Sequence, residues 1–221
     1  RSMTINQPRR VLIIGASRGI GFELVRQYLS EGWEVRATTR TPDHPGRLGK
    51  LSGDLTIHPL DVRDSEQLTL LARSVGHVDV AIHNAGVGLR IPRAEMMAVN
   101  ADAPISAVEA LLDAGAMAPG GKAVLVTSQM GARRGREGSL GDYGDSKAAL
   151  NDEFRQRAPD WAARGLIAIV LHPGWVRTDM GGSSATLSVE ASVAGIRELV
   201  AGLTESHHGR FWTWDGREHP W

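Results

Sequence analysis

The sequence predicts an α/β fold in which helices cover both faces of a doubly wound parallel β-sheet. Short apolar runs of strand length alternate along the chain with segments whose apolar residues recur at helical spacing. Most of these runs are continuous rather than polar at every second position, as in strands that are buried on both faces. At 221 residues the chain has the length of one large domain, and we predict a single domain over residues 3–221.

The first half of the chain contains four predicted strands. They cover residues 11–14, 33–38, 55–60 and 78–82. Gly15 closes the first strand, and the apolar residues of the following helix recur until Gly32. Proline and glycine mark residues 41–49 as a loop, and Asp64 is the expected N-cap of the helix before the fourth strand.

The second half continues the alternation of helices and strands. Predicted helices cover residues 94–114, 143–163 and 189–203, and predicted strands cover residues 123–126, 166–171 and 210–214. The first of these helices contains Pro104, and Pro173-Gly174 stops the second of these strands. Because ligands bind at the carboxyl ends of parallel strands, we expect functional residues just after each strand.

Charge balance and composition exclude several classes of partner. Lys plus Arg and Asp plus Glu number 25 each, so no bulk charge favours nucleic acid or an anionic membrane. The chain has no cysteine, no apolar stretch of membrane-spanning length and no signal-peptide pattern, and we predict a cytoplasmic protein. Its eight histidines lack ligand spacing, and we predict no metal site. Arg1 and Ser2, before Met3, read as a remnant of cloning.

A glycine-rich turn joins the first predicted strand to the first helix. Glycine occupies positions 15, 19 and 21, a GxxxGxG spacing. Backbone N–H groups at such a helix start favour a pyrophosphate, and glycine lets the backbone approach it closely. The alternative is an ordinary tight turn between a strand and a helix. The residues that would contact a dinucleotide here are Gly15, Ser17, Arg18, Gly19, Ile20 and Gly21.

The same turn also matches the GxSxG pattern of serine hydrolases, with Ser17 as the nucleophile. Asp179 together with His207, His208 or His219 would complete the order Ser, Asp, His. However, no earlier strand precedes Ser17 to supply an oxyanion loop, and nothing marks those residues as a triad. The hydrolase is therefore the less favoured of two functional alternatives.

Tyr143 and Lys147 lie one helical turn apart at the predicted start of a long helix. A nearby ammonium favours a phenolate, so we expect Lys147 to lower the pKa of Tyr143 and make its hydroxyl a usable acid. Ser128, at the end of the preceding strand, would add a neutral donor for a substrate oxygen. Taken alone, the pair is an ordinary helix start with a surface lysine, and only its context gives it a function.

Six motifs follow one another in register along this α/β pattern. They are the glycine turn, Asn84-Ala85-Gly86, Asn100, Ser128, Tyr143 with Lys147, and Pro173-Gly174. In this order and spacing, residues 9–221 resemble the short-chain dehydrogenase/reductase family, which implies a Rossmann-type dinucleotide-binding domain. Residues 172–182 and the Trp-rich tail at 209–221 look like the C-factor and sniffer carbonyl-reductase branch.

The resemblance implies an oxidoreductase with four catalytic residues, Asn100, Ser128, Tyr143 and Lys147. Tyr143 would protonate the carbonyl oxygen, Ser128 would orient the carbonyl, and Lys147 would hold the ribose and acidify Tyr143. Asn100 would support a water chain to Lys147. Further cofactor contacts would come from Asp61 and Val62 by the adenine, from Asn84, Ala85 and Gly86, and from Pro173, Gly174, Val176 and Thr178 by the nicotinamide.

The charges after the second predicted strand favour NADP(H) over NAD(H). NAD-specific relatives tend to place a carboxylate there, whereas this chain has Thr39 and Arg40, and Arg18 adds a second cation from the glycine turn. Arginine pairs strongly with phosphate, so we expect both arginines at a ribose 2′-phosphate. The alternative is that either guanidinium is only solvated.

The implied partner is a small-molecule carbonyl or alcohol substrate. Trp175 and the residues after Thr178 are predicted to form an apolar lid at about residues 175–188. The segment at residues 84–100 is shorter than is usual in the family, so part of the wall that commonly borders the substrate is missing. The same region takes part in dimerisation in many members, so a homodimer is a possible assembly. Arg133, Arg134 and Arg136 either attract an anionic substrate or belong to a solvated loop. An NADP(H)-binding regulatory protein on the same fold is the remaining alternative.

Overall fold

A parallel β-sheet forms the centre of the molecule. The computed structural model describes residues 9–88, 90–133 and 141–221 of the chain. Within these residues the strands are β1 (Arg10–Ile14), β2 (Glu34–Thr39), β3 (Leu55–Pro59), β4 (Val78–His83), β5 (Met117–Val126), β6 (Ile167–His172) and β7 (Phe211–Thr213). Their order is β3-β2-β1-β4-β5-β6-β7, and each pairing between neighbours is parallel.

Helices connect the strands. In the described ranges they are α1 (Gly19–Ser30), α2 (Ser65–Ser74), α3 (Arg93–Met97), α4 (Ala103–Asp113), α5 (Gly141–Ala163) and α6 (Val189–Ala201). A π-helical segment, Ala98–Asp102, joins α3 to α4, and 3₁₀ turns lie at Gly46–Lys50, Gln129–Gly131 and Glu205–His207.

The helices form one layer on each face of the sheet. Successive residues of β1 point to opposite faces: Val11 and Ile13 pack with α1 and α6, whereas Leu12 and Ile14 pack with α2 and α4. The part of the second layer beyond α4 is completed by α5, whose Phe154 is fully buried. Each such buried side chain contributes about 1.5–3 kcal/mol to folding. The predicted fold class, a doubly wound parallel sheet covered on both faces, is confirmed.

Individual elements agree with the sequence to within about two residues at each end, except at two places. Asp64 caps α2 as predicted, because its carboxylate accepts hydrogen bonds from the N–H groups of Glu66 (3.0 Å) and Gln67 (3.1 Å). Strand β5 begins at Met117 rather than at residue 123, because Met117 pairs with Val78 across a register shift. The predicted helix over residues 94–114 is interrupted by the π-helical segment.

The strand order creates a crevice at one edge of the sheet. After β3 the chain crosses back over β1 to form β4 on its other side, so the connections after β1 and after β4 lead away in opposite directions. Ligands of such sheets bind at this switch point, outside the carboxyl ends of the strands. Among the helices of the described ranges, none combines the length and the apolar composition that a membrane-spanning segment requires.

Candidate functional site

The glycine turn after β1 packs directly against the segment that follows β4. The amide of Asn84 donates to the carbonyl oxygen of Gly15 (3.2 Å). Gly15 has a φ of +83°, and a Cβ there would lie 2.6 Å from the backbone of Ala85. A Cβ at Gly21 would lie 1.9 Å from the Gly15 oxygen, so the turn requires glycine at both positions.

The N-terminus of α1 has features that favour an anion. The N-cap residue, Arg18, makes no side-chain capping hydrogen bond, and the first turn contains no acidic residue. The first hydrogen bond at this end runs from the N–H of Phe22 to the carbonyl of Arg18 (3.2 Å). The earlier amides, at Gly19 and Ile20, are the groups that a pyrophosphate accepts from, and Ser17 is exposed beside them. These residues fit the predicted dinucleotide.

Two arginines flank the adenosine end of this predicted site. Arg18 and Arg40 are both exposed, and neither forms a side-chain hydrogen bond or ion pair with another residue in the described ranges. Arg63 donates three hydrogen bonds to the carboxylate of Asp61, two from its side chain and one from its backbone N–H. These bonds, with a smaller contribution from Arg40, hold the pKa of Asp61 below its usual range. Val62 lies next to it, partly buried.

The predicted acid pair lies on the first turns of α5, which begins at Gly141, two residues before the predicted start. The ammonium of Lys147 lies 5.8 Å from the centroid of the Tyr143 ring and donates to the carbonyl of Val126 (3.2 Å) at the end of β5. The Tyr143 hydroxyl is hydrogen-bonded to the side chain of Ser128. The structure therefore brings these three predicted residues together.

The direction of the Tyr143 pKa differs from the sequence-based expectation. Burial raises this pKa, and the hydrogen bond with Ser128 only opposes the rise. Burial also lowers the pKa of Lys147 to about 8. The prediction that the pKa of Tyr143 lies below its ordinary value was wrong, because burial dominates at this site. Tyr143 is consequently protonated at neutral pH, the form that can donate a proton.

Asn100 lies in the π-helical segment and connects three parts of the site. Its side-chain oxygen accepts from the N–H of Val87 (2.9 Å), and its amide donates to the carbonyl of Val87 (2.9 Å) and to the Ser146 hydroxyl (3.1 Å). A Cβ at Gly86 would lie 3.3 Å from the Asn100 oxygen and 3.6 Å from the Lys147 nitrogen. Sequence reasoning found Asn100 but missed the π-helical segment, which typically marks functional positions.

The segment after β6 carries the residues predicted to contact the nicotinamide. The carbonyl of Pro173 accepts from the Ser192 hydroxyl (2.6 Å), and Gly174 has a φ of +88° with no room for a Cβ. Val176 is buried and pairs with Leu187. A Cβ at Gly19 would lie 3.5 Å from the Thr178 methyl, so this segment reaches the glycine turn.

Three large apolar side chains are exposed in the segments that follow β5 and β6. Met130, Trp175 and Met180 are 39%, 53% and 56% exposed, and they lie in the segments that follow β5 and β6. Met180 reaches towards the segment after β4, because a Cβ at Gly88 would lie 3.4–3.6 Å from its side-chain atoms. Trp175 donates to the carbonyl of Gly181 (2.9 Å), a hydrogen bond between two residues of the predicted lid. Met130 was not singled out in the sequence, because a lone methionine carries no motif.

The residues of the alternative hydrolase are not brought together. His208 accepts from the N–H of Ala168 (2.9 Å) near the start of β6, and His207 precedes it, so both lie at the edge opposite Ser17. His219 stacks on Phe211, with ring centroids 4.4 Å apart. In the part of the chain that the structure describes, no hydrogen bond joins Ser17 to a histidine or to Asp179.

Two further predictions concern charge and metals. Arg133 is exposed and forms an ion pair with Asp152 (2.7 Å), which favours a solvated position over a substrate contact. Arg134 and Arg136 lie outside the described residues. Across residues 9–88, 90–133 and 141–221, no group of three or more His, Cys, Asp or Glu side chains could hold a metal ion.

Comparisons with known proteins agree with this geometry. The family model described as short chain dehydrogenase matches residues 9–187. C-signal of Myxococcus xanthus is 39% identical over 156 residues, which cover 66% of this chain and 94% of that protein.

Two solved structures resemble nearly the whole chain. NADPH-bound carbonyl reductase from chicken fatty liver has a TM-score of 0.87 and 28% identity, covering 97% of this chain and 95% of the other. The carbonyl reductase Sniffer of D. melanogaster has a TM-score of 0.87 and 25% identity, covering 97% of this chain and 100% of the other. The similarity to C-signal and to carbonyl reductases, predicted from the motifs, is confirmed.

Proposed function

Because the chain belongs to the short chain dehydrogenase family, we propose that it is an NADPH-dependent reductase of aldehydes, ketones or quinone-like carbonyls. The observation that carries the proposal is the contact between Tyr143 and Ser128 beside the Lys147 ammonium, at the edge of the sheet where the glycine turn lies. A hydroxyl held in this way can give a proton to a carbonyl oxygen.

The residues around the glycine turn would hold the cofactor. The amides that begin α1 would bind the pyrophosphate, Asn84 to Gly86 would lie along the middle, and Pro173 to Thr178 would border the nicotinamide. When bound, NADPH supplies the hydride that adds to the carbonyl carbon. Lys147 would donate hydrogen bonds to the ribose hydroxyls, since its ammonium lies beside Gly86.

The acid step falls to Tyr143. Its raised pKa keeps the phenol protonated at neutral pH, and the Ser128 hydroxyl would donate a second hydrogen bond to the same carbonyl oxygen. After the transfer, the adjacent ammonium of Lys147 would stabilise the phenolate until a proton returns. Asn100 is hydrogen-bonded to Val87 and to Ser146, the residue before Lys147, and so would support the path of that proton.

The cofactor preference rests on two exposed cations. Arg18 and Arg40 are exposed at the end of the site where a ribose 2′-phosphate would lie, and the structurally similar chicken enzyme binds NADPH. Charge-assisted arginine–phosphate bonds are strong and directional. We therefore expect NADP(H) to be preferred over NAD(H).

The substrate class follows from the exposed apolar side chains. Met130, Trp175 and Met180 would meet the part of the substrate that extends away from the carbonyl. Flexible methionines adapt to ligands of different shapes. A small or medium apolar carbonyl compound therefore fits better than a charged one.

The test compares the two tyrosines of the chain. NADPH oxidation is measured with a panel of aldehydes, ketones and quinones for the parent, Tyr143→Phe and Tyr28→Phe. Loss of the acid is expected to lower kcat about 100-fold or more in Tyr143→Phe, whereas Tyr28→Phe should match the parent. Reduction that survives in Tyr143→Phe would rule out the mechanism.

A regulatory function is the second candidate, supported by the similarity to C-signal. A regulator would bind NADPH tightly and reduce none of the carbonyls in the panel. Binding is followed separately by NADPH fluorescence, so that tight binding without turnover favours the regulator and turnover favours the reductase. Ester hydrolysis that disappears in Ser17→Ala would instead favour the hydrolase.

The cofactor preference is tested with the double variant Arg18→Ala/Arg40→Asp. We expect the ratio of kcat/KM for NADPH over NADH to fall about 100-fold, because two phosphate contacts are lost and a carboxylate is introduced. Arg73→Ala, an exposed arginine on α2, is the matched control and should leave the ratio unchanged. A double variant that still strongly prefers NADPH would contradict the assignment.

A further inference from the structure

A buried hydrogen bond joins the end of β5 to α5 beside the acid pair. The hydroxyl of Thr127 donates to the side-chain oxygen of Asn151 (2.8 Å), and the two residues are 2% and 3% exposed. Thr127 directly precedes Ser128, and its N–H donates to the carbonyl of Leu171 on β6 (2.8 Å). Asn151 lies one helical turn after Lys147, on the same face of α5.

A second contact fixes the turn on the other side of Ser128. Gly131 ends the 3₁₀ turn that Ser128 caps, and a Cβ there would lie 2.7 Å from the backbone carbonyl carbon of Lys147. The turn is thus attached to α5 at Thr127 and at Gly131, three residues after Ser128. Between these two attachments, Ser128 meets the hydroxyl of Tyr143 from the same helix.

The buried polar pair of Thr127 and Asn151 lowers stability relative to apolar side chains in the same space. While the oxygen of Asn151 accepts from Thr127, its amide nitrogen is buried and has no hydrogen-bond partner in the described part of the chain. Apolar residues at both positions would leave no polar group unsatisfied in such an environment. What an apolar residue cannot supply is a directional bond that sets the distance between the strand end and the helix.

We propose that Asn151 is a positioning residue that acts through Thr127 to hold the Ser128 hydroxyl against Tyr143. It contacts neither substrate nor cofactor. Its effect on turnover rests on the proposed reductase function, whereas its effect on the contact between Ser128 and Tyr143 does not.

The kinetic test uses Thr127→Val, which keeps the shape of the side chain and removes its hydroxyl, and Asn151→Ala. Each is expected to lower kcat about tenfold, because small displacements of a reacting group are costly, while the Kd for NADPH stays unchanged. Thr127→Ser retains the hydroxyl and should stay within about threefold of the parent. Both variants are repeated in a Ser128→Ala background, where the loss should disappear because nothing remains to be positioned.

A tyrosine titration tests the same contact without turnover. The chain has two tyrosines, so in a Tyr28→Phe background the near-ultraviolet signal of tyrosinate reports Tyr143 alone. The Ser128 hydrogen bond opposes the rise in the Tyr143 pKa, and its loss should therefore raise that pKa further in Thr127→Val and Asn151→Ala. Within the described residues, the charged or titratable groups beside Tyr143 and the turn that Ser128 caps include Lys147, Arg93 with Asp142 and Asp145, Arg133 with Asp152, and His172, whose ring accepts from the N–H of Gln129. All variants retain them.

Leu71→Ala, in the core under α2, is the control for lost stability. It should change neither kcat nor the titration. Equal losses of kcat with and without Ser128, or an unchanged Tyr143 titration in Thr127→Val, would overturn the proposal. If no carbonyl is reduced by the parent, the reductase function fails, and the titration alone still decides whether Asn151 positions Ser128.

Discussion

At the scale of single residues, burial of the Lys147 ammonium lowers the free energy of unfolding. The side chain is buried, and burial lowers its pKa from the ordinary 10.5 to about 8. Between these two values the unfolded chain binds a proton that the folded chain does not, so stability rises with pH in this range and the full cost is present below pH 8. The position is therefore optimised for its charge and not for stability.

Lys147→Met removes a buried charge, which stabilises the protein, and also removes the hydrogen bond to the carbonyl of Val126, which offsets part of that gain. The expected net stabilisation at neutral pH is about 2 kcal/mol. The gain should shrink as the pH rises from 8 towards 10.5. Urea unfolding at several pH values measures it, and Lys50→Met, at an exposed lysine, is the control. A gain that does not depend on pH would mean that packing, and not charge, is responsible.

Residue types and spacings were enough to predict that Tyr143, Lys147 and Ser128 lie close together. The one-turn separation of Tyr143 and Lys147 and the strand-end position of Ser128 follow from helix and strand geometry alone. The pKa of Tyr143 did not follow, because it depends on how much of the phenol is buried, and no motif encodes burial. The pair of Thr127 and Asn151 was missed for the same reason: its members lie 24 positions apart and match no pattern.

At the scale of elements, the junction of β1 with α1 depends on close backbone contact. In Gly21→Ala the new Cβ would lie 1.9 Å from the Gly15 oxygen and 2.9 Å from the Asn84 amide, so the helix must move away from the strand. We expect a loss of about 2–3 kcal/mol in stability and clearly weaker NADPH binding.

Gly202→Ala is the matched control for this element, because its Cβ would make only ordinary contacts, at 3.7 and 3.8 Å. It should be neutral or stabilising by about 0.5 kcal/mol. Thermal unfolding and NADPH fluorescence measure both variants. Parental binding in Gly21→Ala would show that the turn is not the pyrophosphate site.

Elements with a strong local signal were predictable, and elements set by their neighbours were not. The capped helix α2 and the apolar strand β1 follow from local sequence. The first residues of β5 join the sheet only through pairing with β4, and the π-helical segment around Asn100 depends on hydrogen bonds to Val87 and Ser146. Such contacts join segments that are distant in sequence, and local periodicity does not predict them.

At the scale of the whole molecule, the alternation of strands and helices predicted a parallel sheet, whereas the strand order came only from the structure. That order places β4 between β1 and β5, where both faces of each strand are covered. The imidazole of His83, at the end of β4, is consequently buried, and neither ring nitrogen has a hydrogen-bond partner in the described ranges.

The burial of His83 and of His172 determines how the stability of the protein changes at acidic pH. Burial, with the nearby charge of Lys147, lowers the pKa of His83 to about 3, and burial lowers that of His172 to about 4, from an ordinary value of 6.5. Between the folded and unfolded values only the unfolded chain binds the proton. The contribution of these two histidines to stability is therefore complete above about pH 6.5 and falls as the pH decreases towards these values.

His83→Leu is expected to remove much of this loss. At pH 5 the buried neutral histidine accounts for about 2 kcal/mol of acid destabilisation, and leucine, which does not titrate, removes that contribution. Urea unfolding from pH 7 to pH 5 should give a flatter curve than the parent, whereas His44→Leu, at an exposed histidine, should not. If His83→Leu keeps the parental slope, the imidazole is charged or hydrated in the folded protein, and the interior beside Lys147 is wetter than its packing indicates.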